Sequence, residues 1–408
     1  PVPFHISDGF TLWFDHDSSY RSPRGNFYLS IRSPFSRTDA KETVLTELYT
    51  AVVVDQLNEF AYPARLAGLE FQLYDHQRGF TLKISGYTDK QAVLLGELIK
   101  ALRLPEITPG RFDRLRKNLI RQLKNFSLER PYAQGLTDLR RLLLADTLWP
   151  DALIKAAEVV TSEQLQVFVP RLLSSIESVA LAHGNYTQKE ALFLADVVFS
   201  EFLQGKPTAD VSHREVVKLE SRDKWVRHLQ IEHPDALSVV YLQGDSQSID
   251  HRARFYLVGQ MLNSPFYQRL RTEQEMGYFV FCGSMDVMEV PGFVFVVQSP
   301  NQDPDSIENA IIQFLQEFDS SIWDKTETEF KRHKSSLIGD VMRQEERLRD
   351  RSERYWVEID RENYNFDYRE TLAGAIGEIS LEEFRHFFGS SIVDSKVPRI
   401  IIKSYGDL

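Results

Sequence analysis

The apolar positions of this chain alternate between a period of two and a period of about 3.6, the signatures of half-buried strands and of amphipathic helices. Thr11-Leu12-Trp13-Phe14 and Phe27-Tyr28-Leu29-Ser30-Ile31 read as strands, and a long helix follows from about Lys41 to Phe60. Leu69–Tyr74 and Gly79–Ile84 read as a hairpin. A helical section then runs to about Leu173, followed by a strand ending at Gly184 and a helix ending near Leu203. Gly205-Lys206-Pro207-Thr208 breaks that helix, and polar residues continue to Ser212, which marks a linker. Beyond it the order recurs: strands near Val216–Leu219, Trp225–Ile231 and Leu237–Leu242, a long helix from about Ile249, and a second hairpin.

The recurrence extends to single residues. Leu57-Asn58 and Tyr62 match Leu262-Asn263 and Tyr267 without a gap, and each set runs on to a glycine, Gly68 or Gly277, that stops the helix before a strand. The second copy is four residues longer here, about one helical turn. Each copy closes on a capping box, Thr161-x-x-Gln164 or Ser380-x-x-Glu383, and then a buried strand that runs into Gly184 or Gly406. Anchors in one fixed order indicate duplicated architecture. Short hairpins and intervening helices predict an α+β fold of two homologous domains, 1–210 and 211–408, each an antiparallel sheet with helices packed on one face.

Composition narrows the function. A length of 408 residues suits two domains, and a net charge of −11 gives no general attraction to nucleic acid or an anionic membrane. No apolar run reaches the ~18 residues that a membrane span needs. The basic helix Arg111–Lys124 carries an apolar stripe, Phe112, Leu115, Leu119 and Leu123, so its charges read as a solvated face. Gln344–Arg351 mixes charge signs and reads as an exposed helix face laced by ion pairs. The single cysteine, Cys282, lies in an apolar strand and reads as core filler. The chain starts at Pro1 with no secretory pattern, so a processed chain or a piece of something longer is expected.

Metal chemistry finds no purchase. His228-Leu229-Gln230-Ile231-Glu232-His233 comes nearest to H-x-x-E-H, but its spacing is one residue too long. Five residues turn the second histidine about 140° away on a helix, and the flanking alternation is that of a strand. His183, at a strand end beside Gly184, reads as structural. The best polar candidates are Arg271 and Tyr278, one on each side of the second helix-to-strand corner. An arginine can bind a carbonyl or carboxylate through two N–H groups. A protonated tyrosine can donate to a developing oxyanion. The first copy has Leu69 where Tyr278 stands, so only the second is equipped for recognition. A helix-end arginine favoured by the dipole and a strand-forming tyrosine fit the same residues.

LRTEQEMGYFVF at 270–281 resembles the C-terminal-half signature of the insulysin/pitrilysin zinc metallopeptidases, and DQLNEFAYPARLAGLEFQLY at 55–74 resembles their third domain. The likeness continues at GYTDKQ (86–91), LLSSIESVALAHGN (172–185) and YNFDYRE (364–370). It implies four homologous α+β domains in two halves. The N-terminal half would bind Zn2+ through H-x-x-E-H and a distal glutamate. The C-terminal half, lacking those residues, would close a chamber that admits unfolded peptides. On this resemblance 1–210 and 211–408 are the third and fourth domains. Arg271 and Tyr278 would then reach the active site to hold the substrate backbone and stabilise the tetrahedral intermediate. Zinc belongs to the N-terminal half and none to this chain, which is expected to be inactive alone. The partners implied are the N-terminal half and peptide substrates, with no nucleic acid and no membrane span. Related non-catalytic subunits of larger complexes, and a free-standing peptide-binding protein, would look similar. A bacterial source would make the compartment periplasm or cytoplasm.

Overall fold

The computed structural model describes residues 1–213, 215–222 and 224–406. It holds two compact units. The first comprises 1–124, 148–214 and 345–366, and the second 125–147, 215–344 and 367–408. In the first unit β1 (Val2–Ser7), β2 (Phe10–His16), β3 (Arg24–Arg32), β4 (Leu69–His76), β5 (Gly79–Tyr87) and β6 (Glu177–Gly184) form one sheet in the order β1-β2-β6-β3-β5-β4. In the second, β7 (Lys224–His228), β8 (Ala236–Gln243), β9 (Phe279–Ser284), β10 (Gly292–Ser299) and β11 (Arg399–Ser404) are ordered β7-β11-β8-β10-β9. With β1 set aside, the two orders coincide strand for strand. Each sheet is antiparallel except at one pair, β2–β6 in the first unit and β7–β11 in the second. The expected strand at 216–219 is reduced to a single bridge, Val216 to Leu144.

Local chemistry sets the long helices. Asp39 caps Ala40–Gln56 by accepting from the Glu42 N–H, and Ser248 caps Ile249–Tyr267 by accepting from the His251 N–H. The helix Ile249–Tyr267 buries Phe255, Val258, Leu262 and Phe266 in a core that includes Phe293, Phe295 and Val297 of β10. Both capping boxes read from the sequence form, at Thr161 and at Ser380.

The central strands are buried on both faces. In β8, Val240 and Leu242 face the main helix layer, while Leu237, Val239 and Tyr241 meet Leu139 and Leu143 of the helix Pro131–Leu143. In the first unit, Tyr28, Val179 and Leu181 meet Trp356 and Ile359 of the helix Leu348–Asp360, with Tyr28 stacked on Trp356 at 5.1 Å. Helices therefore pack on both faces, one more layer than the single-face pattern predicts. Full burial of each large apolar side chain is worth about 1.5–3 kcal/mol, so the second face requires a cover. The cover comes from distant sequence, and the units depart from contiguous halves at 125–147 and 345–366. In the run 344–351, Gln344, Glu346, Arg347, Arg349 and Asp350 are exposed as expected, but the helix begins only at Leu348, and Arg351 pairs with Asp17 at 2.9 Å and lies over the Tyr20 ring.

Candidate functional site

The corner between the helix Ile249–Tyr267 and β9 carries both candidates. The helix continues as a π-helical turn, Gln268–Glu273, in which the Gln274 N–H donates to Arg269 O at 3.0 Å. These turns are frequent at functional sites, and this one absorbs part of the extra length of the second copy. It buries Leu270 and leaves Arg271 half-buried. The chain reverses at Glu275, which adopts φ 50°, and the Met276 N–H closes the turn on Leu270 O at 2.8 Å. Gly277 is thus not the helix stop that the sequence predicts. Its need is space, since a Cβ there would lie 2.2 Å from Gln298 O on β10. Gly68 in the first unit does stop its helix, at φ 75°.

Arg271 Nη1 donates to Gly277 O at 2.7 Å, which ties the guanidinium to the carbonyl of the residue before Tyr278. Tyr278 is 45% exposed, whereas Leu69, at the matching corner of the first unit, is 4% exposed and part of the core. The Tyr278 hydroxyl donates to Asp235 Oδ2 and accepts from Gln298 Nε2 at 2.7 Å. Gln298 Nε2 also donates to Asp235 Oδ2 at 2.6 Å, and Gln298 Oε1 accepts from the Tyr132 N–H at 3.3 Å. The Tyr132 ring stacks on Phe279 at 3.8 Å. Partial burial, and then the hydrogen bond and negative charge of Asp235, raise the Tyr278 pKa above its usual value, while Gln298 and Arg130 oppose the rise. Tyr278 therefore stays protonated at neutral pH.

Sequence reasoning singled out Arg271 and Tyr278 but not Asp235, Gln298, Tyr132 or Arg130. Gln298 left one signal, a polar residue closing an apolar strand and fully buried in the fold. Asp235, immediately before β8, carried no such signal. His183 is fully buried with Nδ1 on Ser352 Oγ at 2.7 Å, the structural place expected of it. Cys282 is buried, which pushes its thiol pKa up. Among the described residues no group of three or more His, Cys, Asp or Glu is placed to hold a metal ion, and no helix is long and apolar enough to cross a membrane.

Residues 1–156 match the model of the middle or third domain of peptidase M16. Residues 257–356, which include the Arg271–Tyr278 corner, match the model of the PQQ synthase PqqF-like C-terminal lobe, domain 4. Human insulin-degrading enzyme is 32% identical over 398 residues, covering 95% of this chain and 39% of that enzyme. This chain belongs to the insulysin/pitrilysin family. Other relatives agree. The A-factor-processing enzyme of Saccharomyces cerevisiae is 26% identical over 408 residues, 98% of this chain and 40% of that protein. The crystal structure of pitrilysin superposes with a TM-score of 0.92 at 18% identity, over 98% of this chain and 43% of pitrilysin. A peptidase M16 inactive domain from Pseudomonas fluorescens superposes with a TM-score of 0.71 at 14% identity, over 99% and 97% of the two chains. The chain thus spans about two-fifths of the curated insulysin-family relatives it matches.

Proposed function

We propose that this chain is the C-terminal, non-zinc half of an insulysin/pitrilysin-like zinc metalloendopeptidase, its sequence halves 1–210 and 211–408 serving as third and fourth domains. In this role it closes the catalytic chamber, binds the main chain of a peptide and stabilises the tetrahedral intermediate. The observation that carries the reading is that one corner holds both Arg271, tied to the Gly277 carbonyl, and the exposed Tyr278, where the first unit has the buried Leu69. The zinc would sit on the H-x-x-E-H of the N-terminal half and activate the attacking water. This chain's share is electrostatic. Arg271 has five N–H donors, one of them held by Gly277 O, and it can meet a carbonyl oxygen that gains charge in the transition state. Tyr278 supplies a second polar contact beside it.

The test is reconstitution. The chain alone is expected to leave a quenched fluorogenic peptide intact. Together with a zinc-bearing N-terminal half, encoded upstream or supplied separately, it is expected to cleave the peptide in a chelator-sensitive way. Cleavage by the chain alone, or no gain when it is added to that half, would count against the proposal. A second reading, a non-catalytic peptide-binding subunit, draws support from the Pseudomonas fluorescens inactive domain, a chain matched along nearly all its length. Peptide binding without any gain in cleavage would favour it.

A further inference from the structure

Asp235 immediately precedes β8 and is 5% exposed, while Gln298 sits on β10 with none of its surface exposed. Gln298 lies opposite Leu237 on one side and Phe279 on the other, so its amide stands where the start of β8 and the start of β9 come together. From there Nε2 reaches both Asp235 Oδ2, at 2.6 Å, and the Tyr278 oxygen, at 2.7 Å. The Tyr132 N–H anchors the other end of the amide at 3.3 Å, which fixes which of its ends faces the pair. The hydroxyl of Tyr278 closes the triangle by donating to Asp235. A hydroxyl has one proton, and here that proton points into the protein. The ring is nevertheless 45% exposed. An exposed tyrosine whose hydroxyl is held by two buried polar side chains is an expensive arrangement for a residue that only fills a strand end, because each buried group must be desolvated.

We propose that Asp235 and Gln298 are positioning residues for Tyr278: they fix its ring at the rim of the corner and keep its hydroxyl hydrogen on the Asp235 carboxylate until a substrate oxygen accepts that hydrogen bond instead. The inference rests on reading Tyr278 as a substrate contact. It adds a consequence. In the unliganded chain the ready donor of the corner is Arg271, and Tyr278 is a donor held in reserve. The charged or titratable groups that bear on the hydroxyl are Asp235, Arg130 at the start of the helix Pro131–Leu143, and His233, whose Nδ1 accepts from the Asp235 N–H at 3.0 Å and lies 3.6 Å from Asp235 Oδ2. When the hydrogen bond moves to substrate, Gln298 remains as the partner of the carboxylate.

The experiment has two arms. In the chain labelled with [13C]tyrosine, the Tyr278 signal is assigned by its loss in Tyr278→Phe and titrated by NMR. Asp235→Asn keeps the shape and removes the charge, and is expected to lower the Tyr278 midpoint by about one pH unit or more. Gln298→Met removes a donor to the oxygen and is expected to move the midpoint upward, so the two variants shift in opposite senses. A midpoint unmoved by Asp235→Asn overturns the positioning role. In the reassembled enzyme Asp235→Asn is expected to cut kcat about tenfold with little change in KM, and to add almost nothing in the Tyr278→Phe background. An equal loss in both backgrounds would mean a merely structural effect and overturns the proposal. If the midpoint shifts but Tyr278→Phe leaves turnover unchanged, it is the reading of Tyr278 as a substrate contact that fails.

Discussion

Tyr278 was legible in the sequence as a candidate, but what its hydroxyl touches was not. A helix–glycine–strand pattern locates a corner, and the contrast with Leu69 marks the residue that differs between the two copies. Nothing in a period of two or 3.6 places Asp235 and Gln298, 43 residues before it and 20 after it, against one oxygen. That contact depends on strand register. It also alters what substitution should do. An open cleft would let Tyr278→Phe and Arg271→Ala keep native stability. With Asp235 5% exposed, removing the Tyr278 hydroxyl takes a partner from a buried carboxylate, which costs on the order of 1–2 kcal/mol where water replaces it in part. We therefore expect Tyr278→Phe to lower Tm by about 2–6 °C in calorimetry and to reduce turnover of the reassembled enzyme roughly tenfold to several hundredfold. Arg271→Ala loses one bond, to the Gly277 carbonyl, from a side chain that is only half-buried. It should change Tm less and weaken substrate binding as well as turnover, since a charge-assisted contact goes. Unchanged turnover in both variants would reduce the corner to architecture.

Elements were read more faithfully than their ends. The long helices, both capping boxes and both hairpins follow from periodicity and local hydrogen bonding, which short sequences encode directly. The stop after Arg271 was misplaced because Glu275, not Gly277, takes the left-handed conformation, a choice settled by the approach of β10. Side-chain titration is another property an element acquires only when packed. Glu47, on the helix Ala40–Gln56, lies near Arg37 and Asp75, and its pKa rises to about 7, chiefly through burial and then through the Asp75 charge, against the opposing pull of Arg37. The folded state then holds this proton more tightly than the unfolded chain does. Its contribution to stability is complete below the ordinary glutamate value of 4.5 and is lost as pH climbs to about 7. Glu47→Gln keeps the shape without the charge. Relative to the parent it should raise Tm at pH 8, by the equivalent of about 1–3 kcal/mol, and give no advantage near pH 4. A constant difference across that range would show that Glu47 titrates normally.

At the scale of the whole molecule, the order of strands repeats, and the cover of each sheet's second face does not come from its own stretch of sequence. A continuous apolar run such as Phe27-Tyr28-Leu29 puts apolar side chains on both faces of its strand, yet it does not say which helix fills the second face. The core assigns Trp356 and Ile359 to Tyr28, Val179 and Leu181, and Leu139 and Leu143 to Leu237, Val239 and Tyr241. A fragment ending at residue 210 lacks 345–366, and one starting at 211 lacks 125–147. Each would expose several large side chains worth about 1.5–3 kcal/mol apiece when buried, a sum comparable with the whole stability of a domain. We expect both fragments, expressed separately, to bind a hydrophobic dye, to self-associate on size exclusion and to lose slow amide exchange in β3, β6 and β8. A synthetic peptide spanning 345–366 should restore slow exchange in β3 and β6 of the first fragment, because the missing face, not a missing fold, is the defect. Two monomeric fragments with native exchange would show that the halves fold as contiguous domains and that the second-face helices are dispensable.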